Sequence, residues 1–176
     1  TLDSQKNKAA DKIAKGETKL NKATDQIKDG LKTIDSQITQ VKEQQKTLDT
    51  SAKQVKEGLA AIATNKANVA ATLKTLNATK TQLDTLKTSL DQLKKQETNL
   101  QTQIDALGEN ATSELKTSLA SVQAQLSVIR EKLKEQGMSE DTLASKIAEV
   151  DKGITSAQSG LTQLETQEKS LQENQK

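Results

Sequence analysis

Residues 13–34, IAKGETKLNKATDQIKDGLKTI, carry an isoleucine or a leucine at every seventh position, beginning with Ile13 and Leu20. The same spacing continues far along the chain. Its members are Ile13, Leu20, Ile27, Ile34, Val41, Leu48, Val55, Ile62, Val69, Leu76, Leu83, Leu90, Glu97 and Ile104, of which only Glu97 is polar. A strict seven-residue apolar repeat keeps one stripe of a helix facing a partner helix only when the helices supercoil left-handedly. The repeat therefore predicts a long coiled coil.

The composition of the 176 residues favours the same fold class. The chain has no Phe, Tyr, Trp, Pro, Cys or His, and only 32% of it is hydrophobic. Aromatic side chains supply much of the core of an average domain, whereas helices that share a narrow aliphatic seam need none. A disordered chain would be as polar, but it would not hold a heptad phase. We therefore predict an all-α fold, a long antiparallel coiled coil in the form of an elongated helical hairpin or a thin helical bundle.

Two glycines mark the ends of predicted helices. Gly108 suits the left-handed position that follows a helix, and the heptad phase changes after it, which predicts a long arm over residues 1–107 and a hairpin turn at 108–112. A returning arm is then expected over 113–176. It contains Gly137, and the residues around it predict a break near 137–139 because no apolar layer spans that junction.

The unequal length of the two arms leaves an alternative open. The pair Asn65 and Asn68 favours a turn, and a fold-back near 64–68 would balance the arms, but Ile62 and Val69 keep strict register across it. A continuous helix is expected instead, with an N-terminal third that the returning arm cannot reach. A second chain covering this overhang is the other way to resolve the imbalance. A second row of aliphatic residues accompanies the heptad series. Near Thr79 this row changes from one side of the series to the other, which predicts a stammer in the supercoil there.

Glycines inside the predicted helices recur in register. Gly16, Gly30 and Gly58 share one heptad position, and Gly153 and Gly160 are seven residues apart. A glycine inside a helix costs about 1 kcal/mol relative to alanine. Their register predicts close approach of two helices at the seam, although flexible points or remnants of repeat duplication would give the same spacing.

The residue types exclude most chemistry. Without His or Cys, the common nucleophile–base pairs and transition-metal sites are missing, and no calcium-loop spacing of acidic residues appears. We predict no catalytic residue, no cofactor-binding residue, no metal ligand and no small-molecule substrate. Charges are interleaved, 26 basic and 24 acidic, without the basic stripe or stacking aromatics of nucleic-acid-binding proteins. The chain has no apolar run long enough to cross a bilayer and is expected to be a piece of a longer protein.

Three short phrases carry a family resemblance: DGLKTI at 29–34, EGLAAI at 57–62 and SGLTQL at 159–164. They resemble the glycine-containing heptads of Gram-positive membrane proteins of the YhgE/Pip (phage infection protein) family and of some MMPL/RND-type and ABC-2-type permeases. In those families a helical segment of this kind is extracellular and lies between transmembrane helices. Most heptads here lack the glycine that the family repeats carry, and no functional residue is transferred.

The resemblance implies a non-enzymatic extracellular stalk of a bacterial membrane protein, either phage-receptor-like or transporter-associated. Such a stalk lies on the outer face of the cell membrane or in the cell wall and acts as a spacer, an assembly surface or a docking surface. Its expected partners are proteins or further copies of the chain, bound through helix faces, and it meets the membrane only through flanking spans outside this chain. The alternatives are a free-standing coiled-coil surface fibre or adhesin and a structural tether.

Overall fold

The computed structural model describes residues 1–174, and within them the predicted all-α fold is confirmed. Helix α1 extends over Leu2–Leu107, a 3-10 turn occupies Gly108–Asn110, and helices α2 and α3 extend over Ser113–Glu135 and Glu140–Glu173. The last two residues of the predicted returning arm, 175–176, lie outside the described residues. The contacts divide the chain into two units, Thr1–Glu57 and residues 58–174. We call them the N-terminal segment and the hairpin and describe each by itself.

The turn of the hairpin follows from Gly108. This residue has a φ of +56°, a left-handed conformation that a side chain disfavours, and the Ala111 N–H donates to its carbonyl oxygen at 3.2 Å. Thr112 then caps α2, since its hydroxyl oxygen accepts a hydrogen bond from the Leu115 N–H at 3.2 Å. The tight turn brings α2 back antiparallel to α1.

The second break lies between α2 and α3. Gly137 has a φ of +71°, and two backbone N–H groups close the last turn of α2: that of Gly137 donates to the Lys134 carbonyl and that of Met138 to the Leu133 carbonyl. This double closure is the Schellman arrangement that ends helices at a glycine. Ser139 begins the next helix, with its N–H donating to the Thr142 hydroxyl at 2.8 Å.

Helix α3 does not continue α2 end to end. Glu140, its first residue, is bonded both to Arg130 of α2 at 2.6 Å and to Lys94 of α1 at 3.3 Å. The first turn of α3 therefore lies beside the last turns of α2, and three helices are neighbours at this level. Further ion pairs join Lys80 to Asp151 and Lys66 to Glu168, so that residue numbers fall along α1 while they rise along α3.

The best-buried side chains of the hairpin lie where the three helices overlap. Leu126 and Leu133 of α2 and Leu143 of α3 are almost completely buried, and they form one cluster with Leu83 and Leu90 of α1. A two-helix seam covers each apolar side chain from one direction, whereas a third helix closes the remaining side. The overlap is therefore the main hydrophobic core of the hairpin.

The fold-back considered near 64–68 is wrong. Helix α1 is continuous through these residues, with Asn65 and Asn68 exposed. Ile62 is buried on one side of the Asn pair, and Lys66 bonds Glu168 of α3 at 2.7 Å. The face of α1 that belongs to the seam is thus in contact with α3 across the segment, whereas the asparagines face solvent. The asparagines therefore do not interrupt the helix.

Helix α3 contacts α1 on both sides of the change of seam flank near Thr79. Lys66 before it and Lys80 and Lys94 after it all pair with α3, on one flank of α1. After it, Leu86 and Leu93 on the other flank pack against the core cluster, to which α2 contributes four of the eight buried residues. Thr79 and Lys80 are both half-buried, as expected where the two flanks exchange.

Shortening Leu126 should test the overlap core. Because Leu126 is completely buried, we expect Leu126→Ala to lower the free energy of unfolding by about 3 kcal/mol, measured by urea denaturation followed by circular dichroism. Val128 of the same helix is 55% exposed, so Val128→Ala is the matched control and should change stability by less than about 0.5 kcal/mol. Equal effects of the two variants would contradict the core assignment.

Two glycine substitutions should act in opposite directions. Gly137→Ala forces a β-carbon into a left-handed conformation and should lower the free energy of unfolding by about 1 kcal/mol. Gly160→Ala, inside α3 with open space around the new β-carbon, should raise it by up to about 1 kcal/mol. Thermal melting of both variants beside the parent chain decides the signs, and stabilisation by Gly137→Ala would contradict a fixed turn at this residue.

Candidate interaction surface

The described residues bring no set of metal ligands together. Across residues 1–174 no three acidic side chains come together in a way that could hold a metal ion. None of the helices described is long and apolar enough to cross a membrane. A groove beside the α2–α3 junction is lined mainly by charged side chains, among them Arg130, Lys134 and Asp141. Apart from two short turns, the surface of the described residues consists of helix faces.

The charges within the hairpin hold the helices in place. Glu140 is the junction of this network, because the hydrogen bond from the Arg130 guanidinium, with that from Lys94, keeps the pKa of its carboxyl below the usual value. The hydrogen bond to Glu168 raises the pKa of Lys66, and that to Asp151 raises the pKa of Lys80. Each of these pairs joins two different helices, so each specifies which residues lie at the same level.

Two glycines inside the helices of the hairpin receive a leucine from the opposite helix. A β-carbon built on Gly58 of α1 would lie 3.1 Å from the Leu171 Cδ1 of α3, and one built on Gly153 of α3 would lie 3.3 Å from the Leu76 Cδ1 of α1. The two contacts are reciprocal, since each helix contributes one glycine and one leucine. The close approach predicted from the glycine register is thus present at Gly58 and Gly153 but not at Gly160, where a β-carbon would meet nothing within 4 Å.

The N-terminal segment carries the same stripe without a partner. All residues from 1 to 54 are exposed. Nine large aliphatic side chains of this segment are between 46% and 70% exposed: Leu2, Ile13, Leu20, Ile27, Leu31, Ile34, Ile38, Val41 and Leu48. Exposed apolar patches of this extent usually mark protein–protein or membrane contact sites. We call this set the open stripe.

The open stripe repeats the features of the buried seam. Gly16 and Gly30 occupy the heptad position of Gly58, but a β-carbon at either residue would meet nothing within 4 Å. Ala9 and Ala23 alternate with these glycines, so that this position is small in every heptad from residue 9 to residue 30. A row of large aliphatic side chains therefore lies beside a row of small ones, a pattern that in the hairpin belongs to a helix pair.

The sequence indicated the stripe and the glycines but not the Glu140 junction. Glu140 stands at a seam position next to the predicted break, and in the sequence it is only one of the polar residues that interrupt the apolar layers there. Its bonds to Arg130 and Lys94 require the lateral placement of α3 beside α2. The presence of the only arginine ten residues before a helix-starting glutamate was the one available signal.

Neutralising Glu140 should destabilise the hairpin in a pH-dependent way. The folded pKa lies below the ordinary value of 4.5, so the stabilisation from ionised Glu140 is complete above that value and is lost as the pH falls through the folded pKa. We expect Glu140→Gln to lower the free energy of unfolding by about 1 kcal/mol at pH 7 and to match the parent chain at strongly acidic pH. Urea denaturation at a series of pH values measures this difference.

The control for this experiment is Glu131→Gln. Glu131 is an exposed residue of α2 for which the described part of the chain shows no ion pair. Its replacement should leave the stability difference near zero at every pH. A pH-independent loss in Glu140→Gln would contradict an electrostatic role.

No family model, no curated protein and no solved structure matches this chain. The likeness of its glycine heptads to those of the YhgE/Pip family stays a prediction from short phrases of sequence.

Proposed function

We propose that this chain is a non-enzymatic coiled-coil spacer with a docking surface, and that it forms the extracellular stalk of a bacterial membrane protein. The observation that carries the proposal is the open stripe, nine exposed aliphatic side chains on a helix whose seam is covered elsewhere. A helix face of this kind serves association and has no use in a reaction. The extracellular location comes from the resemblance of the glycine heptads to YhgE/Pip-like proteins.

The hairpin supports the spacer role. Its returning arm is bound along α1 by ion pairs at Lys94, Lys80 and Lys66 and by the overlap core. Residues 58–107 of α1 alone extend over about 75 Å at 1.5 Å per residue. A hairpin of that length, bound at several points along its helices, would hold a partner at a fixed distance from the membrane or protein that anchors the end opposite the Gly108 turn.

The open stripe also favours a second candidate, a free-standing coiled-coil surface fibre, adhesin or tether. Such a protein assembles through exposed heptad faces and needs no flanking membrane spans. The two candidates differ in how the full-length protein is held at the cell surface.

Labelling of the full-length protein in intact cells of its own host tests the location. The chain has no cysteine, so Val128→Cys introduces one thiol at an exposed position. We expect a membrane-impermeant maleimide to label this variant in intact cells, and the parent protein without the substitution is the background control. Labelling only after lysis would overturn the extracellular location.

Alkaline carbonate extraction of membranes from the labelled cells distinguishes between the two candidate functions. Retention of the labelled protein in the membrane fraction supports a stalk between membrane spans, because integral proteins resist this treatment. Release into the soluble fraction would overturn the stalk and leave the free-standing fibre or tether.

A further inference from the structure

We propose that the open stripe is covered by the same segment of a second copy of this chain, bound antiparallel. The inference deepens the docking role proposed above and rests on it, but it does not depend on where in the cell the protein lies. It follows from the packing of the hairpin, from the order of large and small residues in the N-terminal segment, and from its charges.

The hairpin shows what covers this kind of helix face. There, a glycine at the heptad position of Gly58 receives a leucine that stands on an antiparallel helix, as in the contact with Leu171. Gly16 and Gly30 stand at the same heptad position, and the large aliphatic side chains beside them continue the register of Val55 and Ile62. The empty positions at Gly16 and Gly30 therefore call for aliphatic side chains of an antiparallel helix.

The N-terminal segment can itself supply those side chains. When Gly30 of one copy faces Ile27 of the other, four of the six large residues between 13 and 48 on the heptad series meet a glycine or an alanine. The other two meet longer glutamine side chains, which occupy the heptad position of Gly16 and Gly30 in the next two heptads. Because the arrangement has a two-fold axis, every contact occurs twice, as in other isologous interfaces. The facing pairs are Ile27 with Gly30, Ile34 with Ala23, Val41 with Gly16, Leu48 with Ala9, Leu20 with Gln37 and Ile13 with Gln44.

The charges favour this register. In the hairpin, Lys80 pairs with Asp151. Lys80 has the heptad position of the residue directly after Gly58, three heptads further along α1. Asp151 has the heptad position of the residue directly after Leu171, three heptads earlier in α3. The equivalent positions in the proposed pair are those directly after Gly16 and Val41, which are Glu17 and Lys42. Opposite charges therefore face each other at the heptad positions where the hairpin has its own ion pair.

The same charges decide against the neighbouring registers. A shift by one heptad keeps a similar set of large-to-small contacts, so side-chain size alone does not choose between these alignments. Such a shift places Glu17 opposite Asp35 in one direction and opposite Asp49 in the other, whereas the proposed register also places Asp3 opposite Lys56. Like charges directly opposite each other are repulsive, so alignments one heptad away lose an attraction and gain a repulsion.

The extent of the surface suits a stable dimer. A helical segment over Thr1–Glu57 is about 85 Å long and about 10 Å across, so a contact stripe along it covers roughly 800 Å² per copy. Stable protein–protein interfaces bury about 800 Å² on each partner. The segment is therefore long enough for self-association without a contribution from the hairpin.

Charge reversal tests the proposed register by sedimentation equilibrium of the whole chain. We expect a dimer whose dissociation constant rises about tenfold or more in Glu17→Lys and in Lys42→Glu, because each change turns two attractions into two repulsions. The double variant, with both changes, should return to within about threefold of the parent value. The control exchanges Glu43→Lys and Lys46→Glu, which lie on the opposite face of the helix and should leave association unchanged.

Spin labels on single cysteines determine the direction of the two helices. Asp25 lies near the proposed two-fold axis, so labels at Asp25→Cys should be about 30 Å apart in the dimer, whereas labels at Lys53→Cys should be separated by about 70 Å or more. Short distances at both positions would mean a parallel pair and would overturn the proposal.

The remaining outcomes are equally decisive. A chain that stays monomeric at about 100 µM, or gains mass only when a different protein is added, would overturn the second copy as occupant. A dimer that is insensitive to both charge reversals would overturn the register. Each of these results is independent of the maleimide labelling, so failure of this inference and failure of the extracellular location can be told apart.

Discussion

The burial of Leu126, Leu133 and Leu143 where three helices meet is the interaction on which the rest of the hairpin depends. Without aromatic side chains, each core position of this chain buries less area than an aromatic residue would. The lateral overlap of α3 with α2 compensates by enclosing a few leucines on all sides. Two residues next to this core make the overlap possible. Gly137 ends α2, and Glu140 joins α3 to both other helices.

Much of the fold is predictable from the period of the aliphatic residues and from the glycines. The heptad series predicts α1. The phase change together with Gly108 predicts the turn, because glycine adopts the left-handed conformation more easily than a residue with a side chain. The overlap of α2 and α3 was not predictable. The heptad spacing after Gly137 continues that before it, and a spacing along the chain contains no information on sideways displacement of one helix relative to another.

The interaction surface was predictable in part, for a related reason. The sequence indicated an N-terminal third without a partner and a use for the glycines in close helix contact. What it could not supply was the identity of the residue that fills each glycine position. Leu171 and Leu76 lie more than seventy residues from Gly58 and Gly153 along the chain, and their contacts follow only from the relative level of α1 and α3. That level depends in turn on the unpredicted junction at Glu140.

The order of the helices along the chain has a consequence for biosynthesis. Helix α1 is complete before the ribosome reaches α2, and α3 is made last, so the aliphatic face of α1 over residues 58–107 stays uncovered until its intramolecular partners are made. At translation rates of ~5–20 residues per second, this interval lasts several seconds. A nascent helix with a broad aromatic face would be exposed to aggregation during that time. The aliphatic face of α1 is instead narrow and flanked by closely interleaved lysines and acidic residues, a composition that disfavours aggregation while the rest of the chain is synthesised.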